Sequence, residues 1–319
     1  MGVVRKTKQQ RAAERAKRGR LSDLRLAPRT KCRYARQILA FIAFCEDLPG
    51  GIPDRQGAFD ELACTFIEGC YDEGMPRGSC GDLLSALHHH VPVLHGQLRA
   101  AWKLMDTWAQ HELPDRALAI DHVMVEGLAG ALLLRKRASI ALGVVLGFFA
   151  LLRTAELLCL RWGRILVDLP TGVIILNLGY AKSGQRRGAE EGVRVDCMPL
   201  AWALEAARPA GEPGAALIQH SSAHFRQHFA EAVRDTGLDH LPVRPYSLRR
   251  GGASHLFRQT GSYSLVTERG RWARPETSRI YISEAAAQTA SIRLPTRAQT
   301  MLNAHRRRWL KFVKGFEKA

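Results

Sequence analysis

Apolar residues recur at steps of three and four along most of the chain, and one stretch switches to short β-rich runs. From Thr30 onward Tyr34, Ile38, Leu39, Ile42, Phe44 and Cys45 follow the helical period. A Pro/Gly-rich turn, Leu48–Pro53, separates this helix from others expected over Phe59–Tyr71, Cys80–His90 and Leu94–His111, the second of these capped by Ser79 or Asp82. Nothing between 30 and 112 alternates with period two, so this part reads as a small all-helical bundle closed by a boundary at Leu113–Asp115. Helices are next expected over Asp121–Leu133 and Ser139–Leu160. Then Ile165–Val167, Val173–Leu178 and Val193–Cys197 read as three strands, separated by turns at 169–172 and 182–188. Helical sequence resumes at Leu200, Ser221 and Ser247 and again after Pro275. The fold class is therefore mainly α with a small three-stranded β-meander (α+β). Its expected divisions are a flexible basic arm over 1–29, a helical domain over 30–114 and a second domain over 115–319.

Composition narrows the class. Apolar residues make up 46% and charged residues 24%, a globular balance rather than a disordered one. The longest apolar run, Ala138–Leu152, is shorter than the roughly 18 to 20 residues a membrane span requires, so it reads as a buried core helix and no membrane partner is expected. The first twenty residues are polar and basic without an apolar core, so no secretory signal is read there. Lys6 breaks the myristoylation pattern. Seven cysteines without a CxxC pair support neither a disulfide framework nor structural zinc, which makes a reducing compartment the default. His88, His89 and His90 point around a helix and cannot converge on one ion. His220, His224 and His228 share a helix face, but no neighbouring carboxylate or thiol completes a site, so no metal is expected. Nucleotide-binding glycine loops, HExxH and GxSxG are all absent.

The formal net charge is +17, and three blocks carry it: 1–20 holds +7, 244–281 holds +6 and 305–319 holds +5, which leaves −1 elsewhere. The two terminal blocks suit solvated tails, nuclear import signals or backbone-binding arms. The middle block lies inside patterned sequence and its only basic residue is arginine, whose planar fork of donors matches a phosphate. A polyanion is the implied partner, with nucleic acid first. Aromatic residues amount to only 7%, too few for a stacking platform on single-stranded RNA.

Five elements in this order carry a more specific signal. They are Leu152-Arg153-Thr154-Ala155-Glu156-Leu157, then Lys182 after the middle strand, then Tyr246-Ser247-Leu248-Arg249, Trp272 at 23 residues beyond Arg249, and Tyr281 at 9 beyond Trp272. Over roughly 120–290 the chain resembles the tyrosine recombinase (phage integrase-like) family. That family places an Arg in a GLRxxEL motif, a Lys on a β-hairpin, an HxxR helix, a Gly-His/Trp element and a nucleophilic Tyr. The Ser247–Ala253 string, with its Arg-Arg-Gly-Gly, resembles recombinases of eukaryotic mobile elements and protist genomes more than bacterial ones.

The resemblance implies a core-binding helical domain before an integrase-like catalytic domain, and a site-specific recombinase that cuts and rejoins DNA through a 3′-phosphotyrosine. Tyr281 would attack phosphorus, conserving the bond energy so that no cofactor is needed. Arg153 and Arg249 would clamp the non-bridging oxygens. Lys182 would protonate the leaving 5′ oxygen, Trp272 would donate its indole N–H to the phosphate, and Glu156 would orient the basic groups. Arg244, Arg250, Arg271, Arg186 and Arg187 are the expected DNA contacts. Plainer readings stand beside these: Arg153 as a snorkelling helix end, Lys182 as a turn lysine replaced by Arg186 or Arg187, and Trp272 and Tyr281 as core aromatics. The family histidine is Tyr246 here, a phenol that donates to phosphate but accepts protons poorly at neutral pH. A decayed DNA-binding copy and a type IB topoisomerase-like enzyme are the alternatives. The implied partners are double-stranded DNA and three further copies in a homotetramer on paired sites, with Trp309, Leu310 and Phe312 of the tail as docking anchors. The implied compartment is the nucleus in a eukaryote and otherwise the cytoplasm or nucleoid.

Overall fold

The computed structural model of the chain describes residues 7–49, 51, 55–113, 115–179, 191–282, 289 and 292–316. The chain divides into two compact units, Met1–Asp115 and Arg116–Ala319.

The first unit opens with helix α1, Lys8–Arg18, where the sequence suggested a flexible arm. Its residues are mostly strong helix formers, and Thr7 and Gln10 cap its start reciprocally, which is enough to set the helix although none of its side chains is buried. The bundle proper comprises α2 (Pro28–Glu46), α3 (Gln56–Asp72), α4 (Arg77–His90) and α5 (Arg99–His111). Phe41, Ile67, Leu83, Leu84, Leu87, Met105 and Trp108 fill its core. The helix expected from Leu94 begins only at Arg99, because Pro92–Leu94 forms one 3-10 turn. Its start is capped from another helix: the Asp60 carboxylate of α3 accepts from the amides of Ala100 (3.0 Å) and Ala101 (2.9 Å), fixing α5 to α3. Neither Ser79 nor Asp82 caps α4, which starts after Pro76; Asp82 instead pairs with Arg33 of α2 at 2.8 Å.

The second unit is built around α6 (His122–Leu134) and α7 (Ala138–Phe149). Asp121 caps α6 through the Met124 amide. The apolar run read as a core helix is one: Ile140 to Phe148 of α7 are all buried. Among the described residues no helix is long and apolar enough to cross a membrane. The expected single helix Ser139–Leu160 is broken, since α7 stops at Phe149, Leu151 takes φ +50°, and a short α8 restarts at Thr154–Cys159. The broken turn leaves carbonyls that buried arginines occupy, as described below.

Strands β1 (Ile165–Asp168), β2 (Val173–Gly179) and β3 (Glu191–Asp196) form an antiparallel meander in sequence order. Its registers include Ile165 opposite Leu176 and Ile174 opposite Val195, so alternate side chains Ile165, Ile174, Leu176, Val193 and Val195 enter the core. Then come α9 (Met198–Ala206), α10 (Ser222–Asp235), α11 (Pro245–Thr260), α12 (Tyr263–Gly270), α13 (Pro275–Tyr281) and α14 (Thr296–Lys314). Helix α12 has no counterpart in the periodicity reading, because eight residues with one fully buried apolar side chain, Val266, carry little pattern. Helix α14 packs on α6 of its own unit. Trp309 is 3% exposed there, so this expected docking anchor faces inward.

The Arg-Arg-Gly-Gly string has a packing reason. A Cβ on Gly251 would lie 1.9 Å from the Ile120 carbonyl oxygen, and one on Gly252 would lie 2.0 Å from that of Phe148. Both neighbours are backbone, which cannot swing aside. Gly251→Ala is expected to lower stability by about 2 kcal/mol despite its better helix propensity. Gly69→Ala, in the last turn of α3 where a Cβ would meet open space, is expected to raise it by up to about 1 kcal/mol. Urea unfolding of the two variants checks both signs.

Candidate active site

The N-terminal half of α11 carries Tyr246, Arg249 and Arg250, and the C-terminal end of α13 carries Tyr281. The helices bring these residues into one cluster, with Trp272 from the segment between α12 and α13 and Arg153 and Glu156 from the start of α8.

Arg249 is the largest fully buried side chain, 1% exposed. Its Nη1 donates to the Leu151 carbonyl and its Nη2 to the Gly270 carbonyl, both at 2.5 Å. Its guanidinium lies 4.8 Å from the Trp272 ring and 5.7 Å from the Tyr281 ring, close enough for cation–π attraction to both. Burial, with the charges of Arg153 and Arg271 adding to it, pulls this guanidinium down to about 10, so it stays cationic at neutral pH.

Glu156 gathers the surrounding arginines. It accepts the Arg153 backbone amide at 2.8 Å, pairs with the Arg153 guanidinium, receives Arg271 Nη2 at 2.6 Å and lies 3.9 Å from Arg249 Nη1. Burial works to raise this carboxyl, but the charge of Arg271, the Arg153 amide and the Arg153 charge outweigh it and hold the group below the ordinary carboxylate range. The sequence placed Glu156 with Arg153 on one helix face; in the structure Arg153 is the N-cap residue of α8, and Glu156 folds back onto it.

The two tyrosines meet at their hydroxyls. Tyr246 and Tyr281 share a hydrogen bond that either can donate. Tyr246 is 41% exposed, whereas the Tyr281 ring leans on Trp272 with centroids 4.4 Å apart. Burial and the bond to Tyr281 raise the Tyr246 phenol, and the charges of Arg249 and Arg153 only partly offset this. Trp272 is 7% exposed, and its Nε1 is a buried donor with no acceptor among the described residues; Arg249 Nε is another. Gly270 makes room for this indole, since a Cβ there would lie 1.9 Å from the ring.

The expected DNA contacts divide. Arg244 is exposed at the start of α11. Arg250 is 8% exposed and reaches the Ile280 carbonyl at 3.4 Å, so it supports the last turn of α13. Arg271, also expected at the DNA, is 6% exposed and pairs with Glu156 and Glu191 (3.4 Å) inside the protein. Lys182, Arg186 and Arg187 lie outside the described residues. Of the histidines on α10 and before it, His228 pairs with Glu231 and sits 5.5 Å from the His220 ring, and no group of three possible metal ligands occurs among the described residues. Sequence reasoning did not single out Glu191 or the Leu151 carbonyl. A carbonyl freed by a helix break leaves no signature in residue type.

No protein-family model matches the chain, and neither does any curated protein. Solved structures do match. The XerH site-specific recombinase in a post-cleavage complex with palindromic difH substrate is 16% identical, with TM-score 0.58 over 82% of this chain and 78% of that one. The Tn1549 transposon integrase in complex with transposon right-end DNA is 12% identical, with TM-score 0.60 over 89% of this chain and 98% of that one. A lambda integrase dimer bound to a COC′ core site is 15% identical, with TM-score 0.57 over 87% of this chain and 76% of that one. The chain thus has the fold of the tyrosine recombinases.

Proposed function

We propose that this chain is a tyrosine recombinase, a site-specific DNA strand transferase that cuts and rejoins duplex DNA through a 3′-phosphotyrosine at Tyr281. The observation that carries this reading is the meeting of the Tyr281 and Tyr246 hydroxyls beside the buried Arg249 guanidinium, with Trp272 holding the Tyr281 ring. A phosphodiester brought there would meet cations and orphaned donors already in place, including Arg249 Nε and Trp272 Nε1. Stabilising the extra charge of a pentacoordinate phosphorus needs such preset donors. In this reading Arg153 and Arg249 hold the non-bridging oxygens and Trp272 adds a neutral donor. Lys182, or Arg186 or Arg187 in its stead, supplies the proton to the departing 5′ oxygen. Arg244 contacts the DNA backbone, and Tyr246 donates where the family uses histidine. The bundle of α2–α5 serves as the core-binding domain, and the active form is a homotetramer on paired sites in the nucleus of a eukaryotic host or in the cytoplasm or nucleoid of a bacterial one.

The protein incubated with supercoiled plasmid and pooled genomic fragments, without ATP or magnesium, is expected to give SDS-resistant protein–DNA adducts and relaxed circles. Because phosphate contacts dominate, binding is expected to weaken by roughly 10³-fold between about 50 and 200 mM salt. Salt-sensitive binding with no adduct on any fragment favours the decayed DNA-binding copy, the alternative motivated by a Tyr246 hydroxyl that stays protonated where the family has histidine. Relaxation without joining of two duplexes favours a type IB topoisomerase. Binding that is flat with salt removes the DNA reading altogether.

A further inference from the structure

Arg271 closes α12 in the left-handed region, φ +56°, and its amide donates to the Glu268 carbonyl at 2.9 Å. Glycine normally takes such a helix-closing position, since any Cβ is strained there. This arginine also buries its side chain, 5% exposed, and directs the guanidinium into the protein. Nη2 reaches Glu156 (2.6 Å) and the Leu151 carbonyl (3.3 Å), Nη1 reaches the carbonyls of Arg269 (2.9 Å) and Ala150 (3.5 Å), and Nε faces Glu191 (3.4 Å). These partners are the holders of other site residues. Glu156 binds the amide and guanidinium of Arg153, and the Leu151 carbonyl also receives Arg249 Nη1. Glu191 is the first residue of β3, and the residue after Arg271 is Trp272, on which Tyr281 rests.

We propose that Arg271 is a positioning residue of the strand-transfer site, a buried fork that fixes Arg153, Arg249 and the start of β3 relative to one another without touching DNA. It rests on the function proposed above. Both arginines that would clamp the phosphate lean on groups Arg271 holds. Donors that must meet a transition state tolerate little displacement, so losing the fork should slow chemistry far more than it weakens binding.

The test uses Arg271→Gly, which relaxes the left-handed backbone and so keeps the helix end, together with Glu191→Gln and Arg271→Lys in the full-length chain. Hydrogen exchange of the DNA-free protein is the first readout. Amides in 150–157 and 191–196 are expected to exchange at least about tenfold faster in Arg271→Gly, with α10 unchanged. The second readout is the rate of covalent adduct formation on plasmid and genomic fragments, measured beside DNA affinity. The adduct rate is expected to fall roughly 10- to 100-fold with affinity held within about twofold. Arg271→Lys should recover part of the rate. Glu191→Gln should cost less than Arg271→Gly and add nothing on top of it, as members of one network do. Loss of affinity in step with rate would mean a DNA contact, and faster exchange throughout the unit would mean a purely structural role; either overturns the proposal. An active wild type with an equally active Arg271→Gly overturns it too. A wild type that forms no adduct counts against the proposed function, and exchange then decides on Arg271 alone: unchanged protection at 150–157 and 191–196 refutes it.

Discussion

Tyr281→Phe is expected to abolish the covalent protein–DNA adduct while leaving DNA binding intact. The substitution removes one hydroxyl and keeps the ring that stacks on Trp272 and faces Arg249, so the local packing survives. What disappears is the proposed nucleophile, whose loss costs at least about 10⁴-fold in rate wherever no neighbour replaces it. Tyr246 is the only neighbour whose hydroxyl is in hydrogen-bond reach among the described residues, and its phenol is pushed above its ordinary range by burial and by the Tyr281 contact. It therefore remains protonated through neutral pH and is a poor substitute. The same direction of shift sets the pH profile. A histidine at position 246 would add a step near its own titration, whereas the Tyr246 hydroxyl stays neutral from about pH 6 to pH 9, so the adduct rate should show no step from this position in that window. Gel analysis of SDS-treated reactions across that range checks both points. Adducts that persist in Tyr281→Phe would remove Tyr281 from its role, and their loss in a Tyr246→Phe, Tyr281→Phe double variant would transfer it to Tyr246.

Much of this arrangement is legible in the sequence because helix period and motif spacing are local. The α2–α5 bundle and the three-stranded meander follow from residue type and period along the chain, and the clustering of Arg153, Glu156, Tyr246, Arg249, Trp272 and Tyr281 is what the resemblance to the recombinase family implies. What the sequence hides is set by burial. Apolar residues continue from Ala138 to Leu152, so nothing in the pattern marks the break at Ala150–Leu152; it becomes understandable only when Arg249 and Arg271 are seen to take the carbonyls. Arg271 itself looks like a surface cation in a basic block, and only its pairing with Glu156 and Glu191 turns it inward. The inward turn of Trp309 in the tail is hidden for a related reason. An amphipathic helix shows that one face will be covered, but not whether the cover comes from its own unit, as α6 does here, or from another copy.

Arg249→Met is expected to separate stability from chemistry at the centre of the site. Arg249 is buried and cationic, a state that burial and two nearby guanidinium groups oppose, as its lowered pKa of about 10 records. Methionine fills similar space without that desolvation cost, and polarisable sulfur packs well against Trp272 and Tyr281. Against this, the Gly270 carbonyl loses its Arg249 donor, while the Leu151 carbonyl keeps Arg271 at 3.3 Å. The opposing terms leave a net loss of only about 1 to 2 kcal/mol, since buried ionic groups replaced by apolar ones of like volume often cost little. The catalytic loss is of another order. In the proposed reaction, losing the guanidinium deprives the developing charge on phosphorus of a preset cation and its Nε donor, worth about 10³-fold in rate. DNA affinity, spread over many phosphate contacts, should change by less than about tenfold. Urea unfolding, salt-matched binding and adduct rates measured on one preparation give the three numbers together. A variant that unfolds outright would make Arg249 a structural residue first, and one that forms adducts within about threefold of wild type would move the phosphate clamp elsewhere.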